Sequence, residues 1–184
     1  MMPAGKEECG TQGADDGMNE TRRYDPVAIW LHWLVALLVL AQFATGWIWG
    51  FFERGSEPRF YLFRTHIALG SAILALAITR IFWRLTHRAP PLPEGMSRLQ
   101  RIAAHAGHGL LYLAIVAQPV LGLLAITAFG KTLGRWPRDA HNITAKLIVA
   151  LVVLHVAAVI WHQLIRRDGL LARMLPARFA TGTR

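Results

Sequence analysis

The chain has 184 residues, enough for one domain, and 54% of them are hydrophobic whereas only 17% are charged. Few soluble domains have this balance, and the apolar residues gather into four blocks. The formal net charge of +9 does not indicate nucleic-acid binding, because the basic residues stand at the ends of these blocks without a basic and aromatic surface module. Composition therefore favours an integral membrane protein.

The four apolar blocks cover residues 27–50, 62–83, 103–129 and 143–165. Each is long enough to cross a hydrocarbon core, which takes about 20 residues of α-helix. A soluble bundle would show a polar stripe along each helix, whereas only isolated polar residues occur here. We predict an all-α, four-helix integral membrane bundle over residues 24–176, with a disordered tail at residues 1–23 and a short tail at residues 177–184.

The segments that connect the blocks agree with a four-helix membrane bundle. Asp25 and Pro26 open the first helix as a capping carboxylate followed by a proline. The prolines between residues 87 and 95 force an extended linker before the third block. The stretches 1–23, 80–101 and 166–184 hold thirteen of the twenty Lys and Arg residues. The positive-inside rule therefore predicts that both termini are cytoplasmic in a multi-pass membrane protein.

Seven of the eight histidines lie in or near the apolar blocks. Ionisable groups in membrane helices are costly, so they are expected to face a cavity, a cofactor or one another. Imidazole is also a normal axial ligand of haem iron. The sequence therefore indicates a haem protein with candidate residues His32, His66, His105, His108, His141, His155 and His162.

The depth of each histidine predicts how they pair. His141 and His155 are fourteen residues apart, which is about 21 Å along a helix and about 40° around it. One helix therefore offers two imidazoles on one face at two depths. This predicts one haem between His66 and His141 near the outer surface and another between His32 and His155 nearer the cytoplasm. The alternative is that each histidine packs between helices and bonds to a neighbouring carbonyl.

The remaining histidines have several possible roles. His105 and His108 share a helix face at the cytoplasmic level, where they either line the inner haem or a quinone pocket, or displace His32 or His155 as ligands. His162 lies seven residues beyond His155 and either joins that pocket or is an interfacial residue. Small residues at Gly46 and Gly70 either let the backbone approach a macrocycle or only permit close packing of helices. Arg64, Arg80 and Arg84 either meet haem propionates or anchor the helices at the surface.

Several motifs occur in the order found in one known family. They are RYDPVAIWLHWL around His32, FRTHIALG around His66, HAGHGLLY, PVLGL, LHVAAVIWH and RRDGLLARMLP. Over residues 23–176 the sequence resembles the bacterial cytochrome b561 family, which includes the cytochrome b subunits of nickel-iron hydrogenases. It departs from the family pattern in the short loop before the fourth block, which places Asn142 and Ile143 directly after His141.

The resemblance implies two haem b groups with bis-histidine ligation by His32, His66, His141 and His155. It also implies a quinone, such as ubiquinone, near the cytoplasmic haem. Some members of the family are superoxide oxidases that pass electrons from superoxide to ubiquinone. Others take electrons from a partner dehydrogenase or hydrogenase.

Three functions follow as hypotheses. In the first, the protein is a superoxide:ubiquinone oxidoreductase whose outer cations attract the anion, namely Arg59, Arg64, Lys131, Arg135, Arg138 and Lys146. In the second, it is a relay subunit that docks a periplasmic redox protein. In the third, it is a structural or assembly protein without haem. Membrane lipid is an expected partner of each, and a homodimer is left open.

Overall fold

A computed structural model describes residues 23–92 and 95–176, so both predicted tails lie almost wholly outside the described residues. Within this range the structure is helical and contains no strand. Four long helices are joined by short turns and one five-residue helix. They are α1 (Pro26–Ile48), α2 (Glu57–Thr86), α3 (Arg98–Ile126), the short α4 (Ala128–Thr132) and α5 (Trp136–Trp161).

The four long helices are long and apolar enough to cross a membrane. The shortest, α1, has 23 residues, which at 1.5 Å per residue exceeds the thickness of a hydrocarbon core of about 30 Å. Their outward faces carry large exposed apolar side chains such as Leu37, Leu40, Val153 and Leu154. Such a surface suits lipid rather than water. The predicted all-α membrane bundle of four helices is confirmed.

Asp25 fixes the start of α1. Its carboxylate accepts hydrogen bonds from the backbone of Ala28 at 3.0 Å and from the indole of Trp83 on α2 at 3.0 Å. Burial alone would raise the pKa of the Asp25 carboxyl, but these hydrogen bonds outweigh burial and hold the pKa below its usual value. The cap therefore ties the beginning of the first helix to the end of the second.

Helix ends differ from the predicted ones because caps and prolines set them rather than hydropathy. Helix α3 begins after Ser97, whose side chain forms a capping box with Gln100. Helix α2 begins at Glu57 rather than at residue 62, and α5 begins at Trp136 rather than at residue 143. Both have a proline in the first turn. As a result His141 lies inside α5 instead of at its edge.

Helix α1 packs against α2, α2 against α3, and α3 against α5. Residues 49–56 and 127–135 connect helices at one end, called the loop end below. The opposite end, where the chain enters and leaves the bundle and residues 87–97 connect α2 to α3, is called the terminal end. There Arg23 donates to the carbonyl of Leu175 at 2.6 Å, and the indole of Trp33 donates to that of Met174 at 2.8 Å. The segment after α5 thus folds back onto the start of the chain.

Candidate haem-binding sites

The loop-end pair consists of His66 on α2 and His141 on α5, whose ring centroids are 6.3 Å apart. The hydroxyl of Thr45 lies 3.0 Å from Nδ1 of His66 and itself donates to the carbonyl of Gln42 at 2.8 Å. Its oxygen is therefore free to accept a hydrogen bond from Nδ1–H of His66. This tautomer leaves the lone pair on Nε2, which is the form that binds a metal.

His141 is held in the same tautomer. Its Nδ1 lies 2.9 Å from the backbone carbonyl of Gln118 on α3, and a carbonyl only accepts, so the proton is on Nδ1. The side-chain amide nitrogen of Gln118 lies 3.3 Å from Nε2 and can donate to the lone pair there, so this amide must turn aside before Nε2 binds a metal. Both imidazoles of the loop-end pair therefore have Nδ1–H anchored and the lone pair on Nε2.

Two glycines make room for these rings. A Cβ atom on Gly122 of α3 would lie 2.8 Å from Cε1 of His141, closer than real Cβ contacts come. A Cβ on Gly46 of α1 would lie 3.5 Å from Cε1 of His66. Gly70 instead gives space to the amide of Gln42, at 3.2 Å. These glycines thus accommodate the imidazoles of His141 and His66 and the amide of Gln42.

Three buried polar atoms near the loop-end pair have no hydrogen-bond partner among the described residues: Oε1 of Gln42, Oε1 of Gln118 and Nε1 of Trp49. Each belongs to a residue that adjoins the pair. Gln42 donates to the carbonyl of His66, and the Trp49 ring lies 6.5 Å from the His66 ring. Buried polar groups are rarely left unpaired, so these three atoms are available to hydrogen-bond a bound group.

The terminal-end pair consists of His32 on α1 and His155 on α5, with ring centroids 6.3 Å apart. A third imidazole, that of His108 on α3, has its centroid 5.4 Å from that of His155. Nδ1 of His108 lies 2.7 Å from the carbonyl of Ala104 one turn earlier. His155 therefore has two imidazole neighbours, and His108 stays an alternative to His32 as a ligand.

The two pairs fit axial ligation of haem iron. An imidazole nitrogen lies about 2 Å from the metal it binds, and about 1 Å from its ring centroid, so two axial rings stand about 6 Å apart. Both pairs match this spacing at 6.3 Å, whereas His108 and His155 are closer. In the described part of the chain, no group of three or more His, Cys, Asp or Glu residues could hold a bare metal ion. Two imidazoles alone suit a metal whose other donors come from a macrocycle.

The other predicted histidines lie at the terminal end. His105 and His108 line a cavity of about 520 Å³ together with Tyr24, Arg84 and Arg101. His162 is not among the residues lining it. Its side chain is buried, with 7% of the residue exposed, and its Nδ1 lies 2.5 Å from a carboxylate oxygen of Asp168. His162 therefore belongs to the turn that follows α5 rather than to the cavity of His105 and His108.

Four residues that support these histidines were missed in the sequence: Thr45, Gln118, Gly122 and Asp168. The first three are polar residues or a glycine inside apolar blocks, which is a weak signal because such residues also serve helix packing. Their role depends on which helix faces which, and this the sequence does not give. Asp168 lies outside the apolar blocks, and nothing in the sequence indicates that it supports a histidine.

Known proteins agree with this description. The family model for prokaryotic cytochrome b561 matches residues 23–177. A protein of Yersinia pestis named probable superoxide oxidase is 28% identical over 174 residues, covering 85% of this chain and 98% of its own length. Cytochrome b562 of Cereibacter sphaeroides is 30% identical over 165 residues, covering 88% of this chain and all of its own length. Cytochrome b561 homolog 2 of Escherichia coli is 30% identical, covering 85% of this chain and 93% of its own length.

The predicted family is therefore confirmed, and with it haem b as the cofactor that the family implies. The four helices of membrane-spanning length agree with a location in the bacterial inner membrane. This chain belongs to the prokaryotic cytochrome b561 family, a family of multi-pass membrane b-type cytochromes of electron transport.

Proposed function

We propose that this protein binds two b haems, one at each histidine pair, and transfers electrons through the membrane to or from a quinone. His66 and His141 would hold one haem at the loop end, and His32 and His155 would hold the other at the terminal end. The observation that carries the proposal is that two imidazole pairs between helices repeat one ring separation, 6.3 Å, within one bundle. Bis-histidine haem supplies a one-electron redox couple when bound.

The spacing of the two pairs supports transfer across the bilayer. His141 and His155 both lie on α5, about 21 Å apart along the helix axis, and their partners come from different helices. The two sites therefore lie near opposite surfaces of the bundle. We take residues 24–176 as the di-haem domain.

The orientation in the membrane follows from the basic residues. The terminal end carries Arg84, Arg88, Arg98, Arg101, Arg166, Arg167 and Arg173. By the positive-inside rule this end, with both termini, is cytoplasmic. The loop end with His66 and His141 then faces the periplasm.

The cavity at the terminal end is the proposed quinone site. Reduction of a quinone takes up two protons, and His105 and His108 line the cavity with imidazole nitrogens that can hydrogen-bond the quinone oxygens. The side chains of Arg84 and Arg101 also line it and can stabilise a reduced quinone as negative charge develops. At about 520 Å³, the cavity is within the usual size of small-molecule sites.

Superoxide is the proposed electron donor at the loop end. Two superoxide ions each lose one electron to become dioxygen, and one quinone takes up the two electrons and two protons. The loop end exposes Arg64, Lys131, Arg135, Arg138 and Lys146, which would raise the encounter rate of a small anion. The relative named probable superoxide oxidase supports this choice.

The test supplies purified, haem-loaded protein with enzymatically generated superoxide and a soluble ubiquinone analogue. We expect quinone reduction that added superoxide dismutase abolishes. Replacing Lys131 and Arg135 together with glutamine should lower the rate severalfold at low salt and weaken its dependence on ionic strength. Arg98→Gln, an exposed cation at the opposite end, is the matched control and should leave the rate unchanged.

If the loaded protein reduces no quinone in the presence of superoxide, superoxide is not its donor. The same haem sites would then serve a relay subunit that takes electrons from a periplasmic dehydrogenase or hydrogenase. A haem-containing preparation in either case rules out a purely structural protein.

A further inference from the structure

Arg80 is a cation inside a membrane-spanning helix, and no described residue gives it an acidic partner. It lies on α2 and is half-buried. The only ion pair found within the described residues is His162 with Asp168, at the end of α5. An unpaired cation in such a segment is costly and is retained where its charge has a use.

Tyr112 on α3 holds the Arg80 side chain in place. Nε of Arg80 donates to the phenolic oxygen of Tyr112 at 3.1 Å, and the guanidinium carbon lies 5.7 Å from the centroid of the tyrosine ring. A hydrogen bond and a cation–π contact to one side chain restrict the position of the charge. The guanidinium is therefore fixed across the contact between α2 and α3.

The charge of Arg80 lies at the depth of the terminal-end pair. Arg80 is fourteen residues after His66 on α2, about 21 Å along the helix, just as His155 is fourteen residues after His141 on α5. Arg64, which is two residues before His66 at the loop end, is exposed, so water screens its charge more than that of half-buried Arg80. A positive charge favours the reduced state of a nearby redox group, because reduction removes one positive charge.

The hydrogen bonds of the imidazoles also favour a higher reduction potential at the terminal end than at the loop end. At the loop end, Nδ1–H of His66 donates to Thr45 and that of His141 to the carbonyl of Gln118. Within residues 23–92 and 95–176, neither nitrogen of His32 or His155 has a hydrogen-bond partner. A hydrogen bond from Nδ1–H makes an imidazole ligand more basic, which favours the oxidised, more positive metal. The loop-end ligands therefore favour oxidation more than the terminal-end ligands do.

We propose that Arg80, positioned by Tyr112, makes the terminal-end site the more oxidising of the two sites, so that an electron on the protein resides at the terminal end beside the quinone cavity. Arg80 is on this account a residue that sets the direction of transfer. The inference rests on the proposed function, since it requires a haem at each pair. It adds which site holds the electron and which side chain decides this.

The experiment is a spectroscopic redox titration of the haem-loaded protein in detergent. The His66→Ala variant, which retains only the terminal-end haem, assigns the two potentials. In the wild type we expect the higher potential at the terminal end. A unit charge in a partly buried setting shifts a one-electron equilibrium by about tenfold, so Arg80→Gln should lower the terminal-end potential by about 59 mV. Arg80→Lys should restore most of the shift, and Tyr112→Phe should show part of it.

Arg64→Gln is the matched control. Arg64 lies on the same helix at the loop end, where its guanidinium stands 5.9 Å from the ring of Phe60. This substitution should leave the terminal-end potential unchanged. A terminal-end potential that does not respond to Arg80→Gln overturns the inference.

The order of the potentials in the wild type is a second test that needs no Arg80 variant. If the loop-end site has the higher potential, the inference is wrong even where Arg80→Gln fails to fold. Failure of the proposed function looks different, because the wild-type protein would then carry fewer than two haems and no pair of potentials could be measured.

Discussion

Replacing His66 or His141 with alanine is expected to remove one of two b haems from the purified protein and to leave the other in place. Each substitution deletes one proposed haem ligand of the loop-end pair, whose rings are 6.3 Å apart. The terminal-end pair shares no residue with it. We expect His32→Ala and His155→Ala to remove the other haem in the same way, each by about one haem per chain.

A pyridine haemochrome assay with a reduced-minus-oxidised spectrum measures this loss. His87→Ala is the control, because His87 is exposed, stacks on Trp83 with ring centroids 3.8 Å apart and belongs to neither pair. It should keep both haems. If His108→Ala loses a haem that His32→Ala retains, the ligand at the terminal end is His108, whose ring lies 5.4 Å from that of His155.

Gly122→Ala is expected to weaken haem binding at the loop end alone. The added Cβ would stand 2.8 Å from Cε1 and 3.0 Å from Nδ1 of His141, so the imidazole must move. That movement also strains the hydrogen bond from Nδ1–H to the carbonyl of Gln118. Overpacking of this kind costs about 1–3 kcal/mol, which corresponds to haem binding weaker by about 5- to 150-fold.

Gly109→Ala provides the matched control for this prediction. Gly109 lies on the same helix, and a Cβ atom there would meet nothing within 4 Å. Titration of the haem-free proteins with haemin measures both affinities. Equal haem affinity in the two variants would contradict the close packing of α3 against His141.

The fold could be predicted because a membrane-spanning helix needs a long apolar segment, which is easily recognised in a sequence. Four apolar blocks separated by prolines and basic residues leave few alternatives to a four-helix bundle. The helix ends could not be read from hydropathy, because polar first turns such as Ser97 to Gln100 are helical for reasons of capping. The seven residues before position 143 are likewise helical, since α5 begins at Trp136.

The arrangement of the histidines could be predicted in part. Helix geometry alone places His141 and His155 on one face at two depths, and the structure brings each next to the expected partner. That these four residues ligate haem stays a prediction. The supporting contacts of Thr45, Gln118 and Gly122 depend on how neighbouring helices are rotated, which the periodicity of a single chain does not specify. The closeness of His108 to His155 depends on the same rotation.

The amount of haem bound to the purified wild-type protein tests the central claim most directly. A pyridine haemochrome assay combined with a measurement of protein concentration gives the number of b haems per chain. Two b haems per chain, both six-coordinate and low-spin in the oxidised spectrum, is the result that two bis-histidine sites predict. One haem per chain, or none after expression with ample haem, would contradict the assignment of a haem to each histidine pair.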